Sequence, residues 1–325
     1  MEKGKISVII PVYNGRPWLE ECVESVLAQT FQNFEVLILD DSSTDGTSGL
    51  AETLAERDAR VRLIRREKQG VSSARNQGID ETDGEYVTFV DADDKIDRRM
   101  LEVLLNCLEK EKSDIALCDY IKWSGKNTEN SGDDREYCVK TVNKKTYLSD
   151  YLLMGNTRCW SVLYRRSAIG KIRFRERLTI GEDMMFLVDI LPNVARVSIT
   201  DYKGYFYRIN ENGAMLRPFT PSYMDEIRSW RFAEHIISWD YPDLKPRVNS
   251  ILAVSAMLAA GKLAALSKEE RSRCRRYVED CQRTVKEALE VRGARALLPA
   301  GYGIKTALFA AWPDLYLDLY HRWKR

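Results

Sequence analysis

A chain of 325 residues can bury a sizeable core and, at roughly 100–200 residues per domain, accommodates one large domain with an extension or two domains. Charged residues make up 30% of it yet balance to a net charge of +1, which excludes a global electrostatic case for nucleic acid; a polyanion site has to be local. Seven scattered cysteines without a Cys-x-x-Cys pair, and only two histidines, argue against a disulfide framework and a zinc site.

The first apolar run, residues 6–10, is β-branched and closed by Pro11, which predicts a buried strand. It is too short for a signal-peptide core, so a cytoplasmic protein with reduced thiols is expected. Leu19, Cys22, Val23, Val26 and Leu27 then recur at helical spacing. The alternation continues with strand 34–39 and a helix near 47–57, strand 61–64 and a helix near 72–79, and strand 86–90 and a helix near 98–111. A fifth apolar run covers 115–117. This order predicts an α/β fold whose parallel sheet is covered on both faces, with the ligand beyond the carboxyl ends of the strands.

Residues 124–135 are polar and turn-rich and read as a surface loop, followed by strand-like pieces at 194–199 and 205–208. From about 221 the pattern is helical, which places a boundary near 212–221 and suggests domains 1–215 and 216–325. The stretch 248–266 is apolar but contains Asn249, Ser250, Ser255 and Lys262, so it reads as a buried helix rather than a membrane span.

Three acidic clusters need a reason: Asp40-Asp41 and Asp91-Ala92-Asp93-Asp94, each directly behind a predicted strand, and Glu182-Asp183 before an apolar helix. Each has a local explanation. Asp45 or Thr44 would cap the helix near 47–57, Ser72 or Ser73 the helix that follows Gly70, and Asp94 or Asp97 the helix near 98–111; Glu182 and Asp183 would complement a helix dipole. Capping does not account for Asp91 and Asp93 together, because like charges this close repel unless solvent or a cation relieves them. Hard oxygen ligands suit Mg²⁺ or Mn²⁺. No Gly-x-Gly-x-x-Gly or Gly-Lys-Ser/Thr loop occurs, which removes the main support for a dehydrogenase or a P-loop enzyme.

Taken together, residues 8–14, Asp40 to Thr47, Gly70 to Asn76, Asp91 to Asp94 and Glu182-Asp183 resemble the family 2 glycosyltransferases, inverting enzymes of the bacterial surface-polysaccharide type. The resemblance covers about residues 5–210 and implies a GT-A-like, doubly wound, mostly parallel sheet with a C-terminal helical extension. It implies that Asp41 reads the base of a UDP-linked sugar, with Pro11, Tyr13, Asn14, Arg75, Asp91 and Ala92 also at the nucleotide. Asp93, with Asp91, would hold Mn²⁺ or Mg²⁺. Asp183 would be the general base toward an acceptor hydroxyl and Glu182 a ligand of donor or acceptor hydroxyls. The expected partners are a UDP-sugar donor and a glycan or polyprenyl-linked acceptor, without nucleic acid.

The Gln-x-x-Arg-Trp motif of processive, membrane-embedded relatives has only a partial counterpart, Leu319 to Trp323, so transfer of one sugar, or of a small repeat, is expected. Aromatic and basic residues in 312–325, with Arg271, Arg273, Arg275 and Arg276, suit either a peripheral contact with the inner membrane face or packing on the catalytic domain or a second subunit. The competing functions are a sugar-phosphate nucleotidylyltransferase, whose Gly-rich loop is missing, and a non-catalytic glycan-binding paralogue.

Overall fold

The computed structural model describes residues 1–124, 136–209 and 218–323. All but the first residue of the predicted loop at 124–135, and most of the predicted boundary at 212–221, lie outside the described residues. The chain divides into two compact units. Unit 1 comprises Met1–Leu152, Thr157–Arg177 and Phe186–Glu211; unit 2 comprises Leu153–Asn156, Leu178–Met185 and Asn212–Arg325.

Unit 1 begins with β1 (Glu2–Val12), α1 (Leu19–Leu27), β2 (Phe34–Asp40), α2 (Thr47–Arg57), β3 (Val61–Arg65), α3 (Val71–Glu81) and β4 (Gly84–Phe89). β1 pairs in parallel with both β2 and β4, and β2 with β3. Every residue of β2 is buried, as expected for a strand covered on both faces. The remaining elements are β5 (Lys95–Ile96), α4 (Met100–Glu111), β6 (Ile115–Trp123), β7 (Val139–Asn143), α5 (Lys144–Asp150), β8 (Val162–Arg165), α6 (Arg166–Ile169), α7 (Glu182–Ile190), of which only Phe186 onward is in unit 1, and β9 (Arg196–Arg208). The order across the sheet is β3-β2-β1-β4-β8-β6-β9-β5, with β7 paired to β9. The far part is mixed: β8 runs antiparallel to β4 and β6, while β6 and β9 are parallel.

The two strand-like pieces expected near 194–199 and 205–208 are one strand, β9. Its register against β6 shifts between Leu117 and Tyr120, which explains why the sequence pattern breaks there. β6 runs to Trp123, beyond the apolar run at 115–117, because its second half keeps pairing with β9 although most of its residues are no longer buried. Phe89, Tyr164, Phe174 and Phe186 form an aromatic cluster in which Phe174 and Phe186 stack at 4.0 Å. The GT-A-like α/β fold expected from the motifs is the fold observed.

In unit 2, α8 (Met224–Asp240), α9 (Lys245–Ala264), α10 (Lys268–Arg273), α11 (Arg275–Glu290), α12 (Tyr302–Ala311) and α13 (Pro313–Trp323) follow one another. α9 is buried over much of its circumference, from Val248 through Ala264, which suits a central helix and bears out the reading of 248–266. No helix among the described residues is long and apolar enough to cross a membrane. Two arginines of the basic run pin α13: Arg271 donates to Asp318 at 2.6 Å and Arg275 to Asp314 at 2.7 Å. The outer side of α13 leaves Leu315, Leu319 and Trp323 exposed. None of the seven cysteines is disulfide-bonded, and five are buried.

Candidate active site

Where β1 and β2 end side by side, two loops clamp each other. The last β1 residue, Val12, lies opposite Asp40, and its carbonyl accepts the Asp41 N–H at 2.9 Å. Asn14 adopts a positive φ of 52°, a region that asparagine tolerates, and its Oδ1 accepts the Thr44 N–H at 2.8 Å. The Asn14 N–H in turn donates to Ser43 Oγ at 2.9 Å. Asn14 therefore ties the first loop to the second. Pro11 sits inside β1 opposite Leu39. Tyr13 is exposed, with Lys68 Nζ 3.6 Å above its ring.

Asp41 is buried and held through both oxygens, each of which keeps further acceptor capacity. Its two oxygens accept the N–H groups of Gln69 at 3.0 Å and Gly70 at 2.8 Å, and Arg66 lies 3.2 Å away as an ion pair. The Arg66 side chain is 6% exposed. Its Nη2 donates to Ser73 Oγ at 2.7 Å, but Nη1 has no hydrogen-bond partner among the described residues. A buried guanidinium N–H without an acceptor is costly and invites one. Ser72 and Ser73 do not cap α3: the N-cap is Gly70, at φ +92°, and both serines are buried in the first turn. The Asp41 carboxylate instead fixes the entry loop, so a serine cap is not needed. Asp45, by contrast, does accept the Thr47 N–H at 3.0 Å at the start of α2.

The Asp91–Asp94 segment follows β4 and is held from several directions. Arg75 Nη2 donates to Asp91 Oδ1 at 2.9 Å. The Asp91 N–H donates to the Tyr205 hydroxyl, which itself donates to Asp94 Oδ2 at 2.8 Å. Arg208 closes the group, its N–H donating to Asp94 Oδ1 at 2.7 Å and its Nε to the Asp93 carbonyl at 2.6 Å. Asp94 is therefore not the cap that its position suggested. It is a buried anchor, and burial first, then the neighbouring Asp91 charge, pushes its carboxyl up to about 8. Asp97 supports the entry to α4 by accepting the Arg99 N–H at 2.9 Å. Ala92 is buried in the core, so only its backbone can face a ligand.

Asp93 differs from both neighbours. It is partly exposed, and its carboxylate accepts no hydrogen bond from the described residues, while Asp91 and Asp94 are both tied down. A hard divalent cation would suit that donor set, one available carboxylate with a second beside it. Among the described residues no group of three or more His, Cys, Asp or Glu is placed to hold a metal by itself.

Glu182 and Asp183 form the first turn of α7 and belong to unit 2. Their approach is set by residues that the sequence did not single out. The Thr179 N–H donates to Asp225 Oδ2 at 3.1 Å, and Gly181 has φ +84°. A side chain at Gly181 would collide with Ser229 on α8, so only glycine lets this turn lie against that helix. The glycine directly before the Glu-Asp pair is the sequence signal for that turn. Arg66, Tyr205 and Arg208 were also missed.

The strand order and its mixed far half are those of a GT-A-like fold. The chain belongs to glycosyl transferase family 2, whose family model matches residues 7–173. Among relatives, the uncharacterized glycosyltransferase EpsJ of Bacillus subtilis is 34% identical over 233 residues, which span 68% of this chain and 65% of EpsJ. Among solved structures, TarS 1–349 of S. aureus in complex with UDP-GlcNAc superposes with a TM-score of 0.72 at 23% identity, covering 99% of this chain and 91% of that one. The mannosyltransferase PcManGT of Pyrobaculum calidifontis, in complex with GDP-Man and Mn²⁺, gives 0.52 at 18% identity, covering 95% and 87%. At these identities the two structures establish likeness of fold.

Proposed function

We propose that the chain transfers a hexose-type sugar from a UDP-linked donor to a hydroxyl of a glycan or lipid-linked acceptor, with inversion at the anomeric carbon. The observation that carries this reading is the contrast within Asp91–Asp94: two carboxylates are anchored and Asp93 alone is left available behind a strand end. The TarS complex with UDP-GlcNAc and the PcManGT complex with Mn²⁺ support the donor class and the cation.

On this reading Asp41 and Arg66 meet the edge of the base. A uracil presents an N–H and a carbonyl side by side, matching a carboxylate beside an unpartnered guanidinium N–H; cytosine presents the reverse pattern. Pro11, Tyr13 and Asn14 line the base and ribose, and Arg75 and Asp91 steady each other at the ribose and diphosphate. Asp93, with Asp91, holds the cation. A divalent cation, when bound, neutralises charge on the departing diphosphate.

Asp183 takes the proton of the acceptor hydroxyl as its oxygen bonds to the anomeric carbon. On the opposite face the bond from that carbon to the diphosphate oxygen breaks, and the nucleoside diphosphate leaves with the electron pair. Glu182 binds donor or acceptor hydroxyls. The domain 1–215 is proposed to bind the donor and carry out transfer, and 216–325 to serve the acceptor, a second copy or a membrane contact. Release of UDP from UDP-sugars, measured across a donor panel with Mn²⁺, tests the reading; a nucleotidylyltransferase would instead need a nucleoside triphosphate, and a binding paralogue would release nothing.

A further inference from the structure

Within unit 2, α13 is held firmly from behind. It turns Tyr316 and Leu317 inward, with the Tyr316 ring 5.3 Å from that of Phe309, and His321 Nδ1 lies 2.8 Å from the Ala264 carbonyl at the end of α9. Together with the Arg271–Asp318 and Arg275–Asp314 pairs, these contacts fix which side of the helix faces outward. That side carries Leu315, Leu319 and Trp323, four residues apart, with Trp312 at the entry to the helix. The spacing makes one stripe about 16 Å long. Trp312 is 64% exposed, Leu315 50%, Leu319 48% and Trp323 76%, the last touching only the Tyr320 ring. A pinned helix that presents this much apolar surface marks an interaction face.

The charge around the stripe has one sign. Between Val291 and Trp323 the only carboxylates are Asp314 and Asp318, and both are engaged by the arginines of α10 and α11. Lys268 lies a further 4.0 Å from Asp318, and Arg322 adds to the positive field there. Arg292, Arg295, Lys305 and Arg322 are exposed. Lys305 leans over the Tyr302 ring of its own helix and Arg295 Nε donates to the Leu289 carbonyl, so neither uses a carboxylate.

We propose that this face docks on the anionic headgroup surface of a lipid bilayer, with α13 lying in the plane of the interface. Leucines between two exposed indoles, flanked by cations, match such a surface: the apolar side chains enter the acyl boundary and the indoles sit at headgroup level. No helix among the described residues is long and apolar enough to cross the bilayer, so the contact is peripheral. A second copy suits the face less well. Pairing it with itself about a two-fold axis would set its unneutralised cations against one another. The inference uses none of the residues assigned to donor or acceptor and stands apart from the transferase reading.

Flotation of the full chain with phosphatidylcholine vesicles, with and without phosphatidylglycerol, tests the proposal, alongside molar mass by light scattering. The wild type should float with the phosphatidylglycerol vesicles, at least about tenfold less with phosphatidylcholine alone, and less as salt is raised. Leu315→Ser combined with Leu319→Ser should reduce flotation about tenfold, and so should Lys305→Glu combined with Arg322→Glu. All four positions are exposed, so Tm should change little. If the leucine variant nevertheless unfolds, the charge variant decides on the same readout. No flotation of the wild type, flotation indifferent to phosphatidylglycerol, or a folded leucine variant that floats like the wild type would each overturn the proposal. A wild-type dimer that the leucine variant converts to a monomer would assign the face to a second copy instead.

Discussion

Gly181 lies so close to Ser229 that no side chain fits between them, and it does so at φ +84°, where side chains other than glycine are strained. This pair fixes the turn that starts α7 with Glu182 and Asp183. Two separable costs follow from it. Gly181→Ala should lower Tm through both strain and collision, the strain alone being about 1–2 kcal/mol. Adding Ser229→Gly should recover the collision part and leave the strain. Thermal unfolding of the single and double variants checks this; equal Tm values for Gly181→Ala and wild type would contradict the tight approach.

Asp41 and Arg66 face each other with side chains each 6% exposed. Removing one partner leaves the other charged and buried, so Asp41→Ala should cost about 3–5 kcal/mol. The double variant with Arg66→Met should be less destabilised than the sum of the singles. Denaturant unfolding of the four proteins gives the coupling, and strict additivity would show that the pair does not interact.

Asp93→Asn removes the carboxylate assigned to the cation while sparing the anchors of Asp91 and Asp94. Calorimetric affinity for a UDP-sugar in Mn²⁺ should fall at least about tenfold, whereas in EDTA variant and wild type should agree. A variant that keeps the full Mn²⁺ enhancement would remove Asp93 from the cation site.

Glu226 carries a pH signature. Burial raises its carboxyl above the ordinary value, against the hydrogen bonds from Trp230 and Ser255. The folded chain therefore keeps this proton after the unfolded chain, at about pH 4.3, has released it. The contribution of Glu226 to stability is greatest below that pH and declines as pH rises through the folded value. Glu226→Gln should flatten this decline, so the Tm of the variant should gain on the wild type as pH increases from about 4 toward neutrality. A constant difference across that range would contradict the raised value.

The parallel half of the sheet could be read from the sequence because β1, β2 and β4 each carry a largely apolar stretch bounded by turn residues, and two acidic clusters sit just beyond β2 and β4. The mixed half could not. β8 is only four residues long, β5 two, and β9 changes register midway, so none carries a clean period. The same limit applies to the site. Asp91, Asp93 and Asp183 stand out locally, but Tyr205 and Arg208 reach Asp94 across 111 and 114 residues, and Ser229 meets Gly181 only after folding. Asp94 looked like a cap because its true partners are distant in the chain.

The general base is the centre of the proposal, and Asp183→Asn isolates it. Binding of the UDP-sugar and turnover to acceptor should be measured on the same preparation. Donor affinity should stay within about twofold of wild type while transfer falls by about a hundredfold to ten-thousandfold. Transfer by the variant at the wild-type rate would contradict the assignment of Asp183.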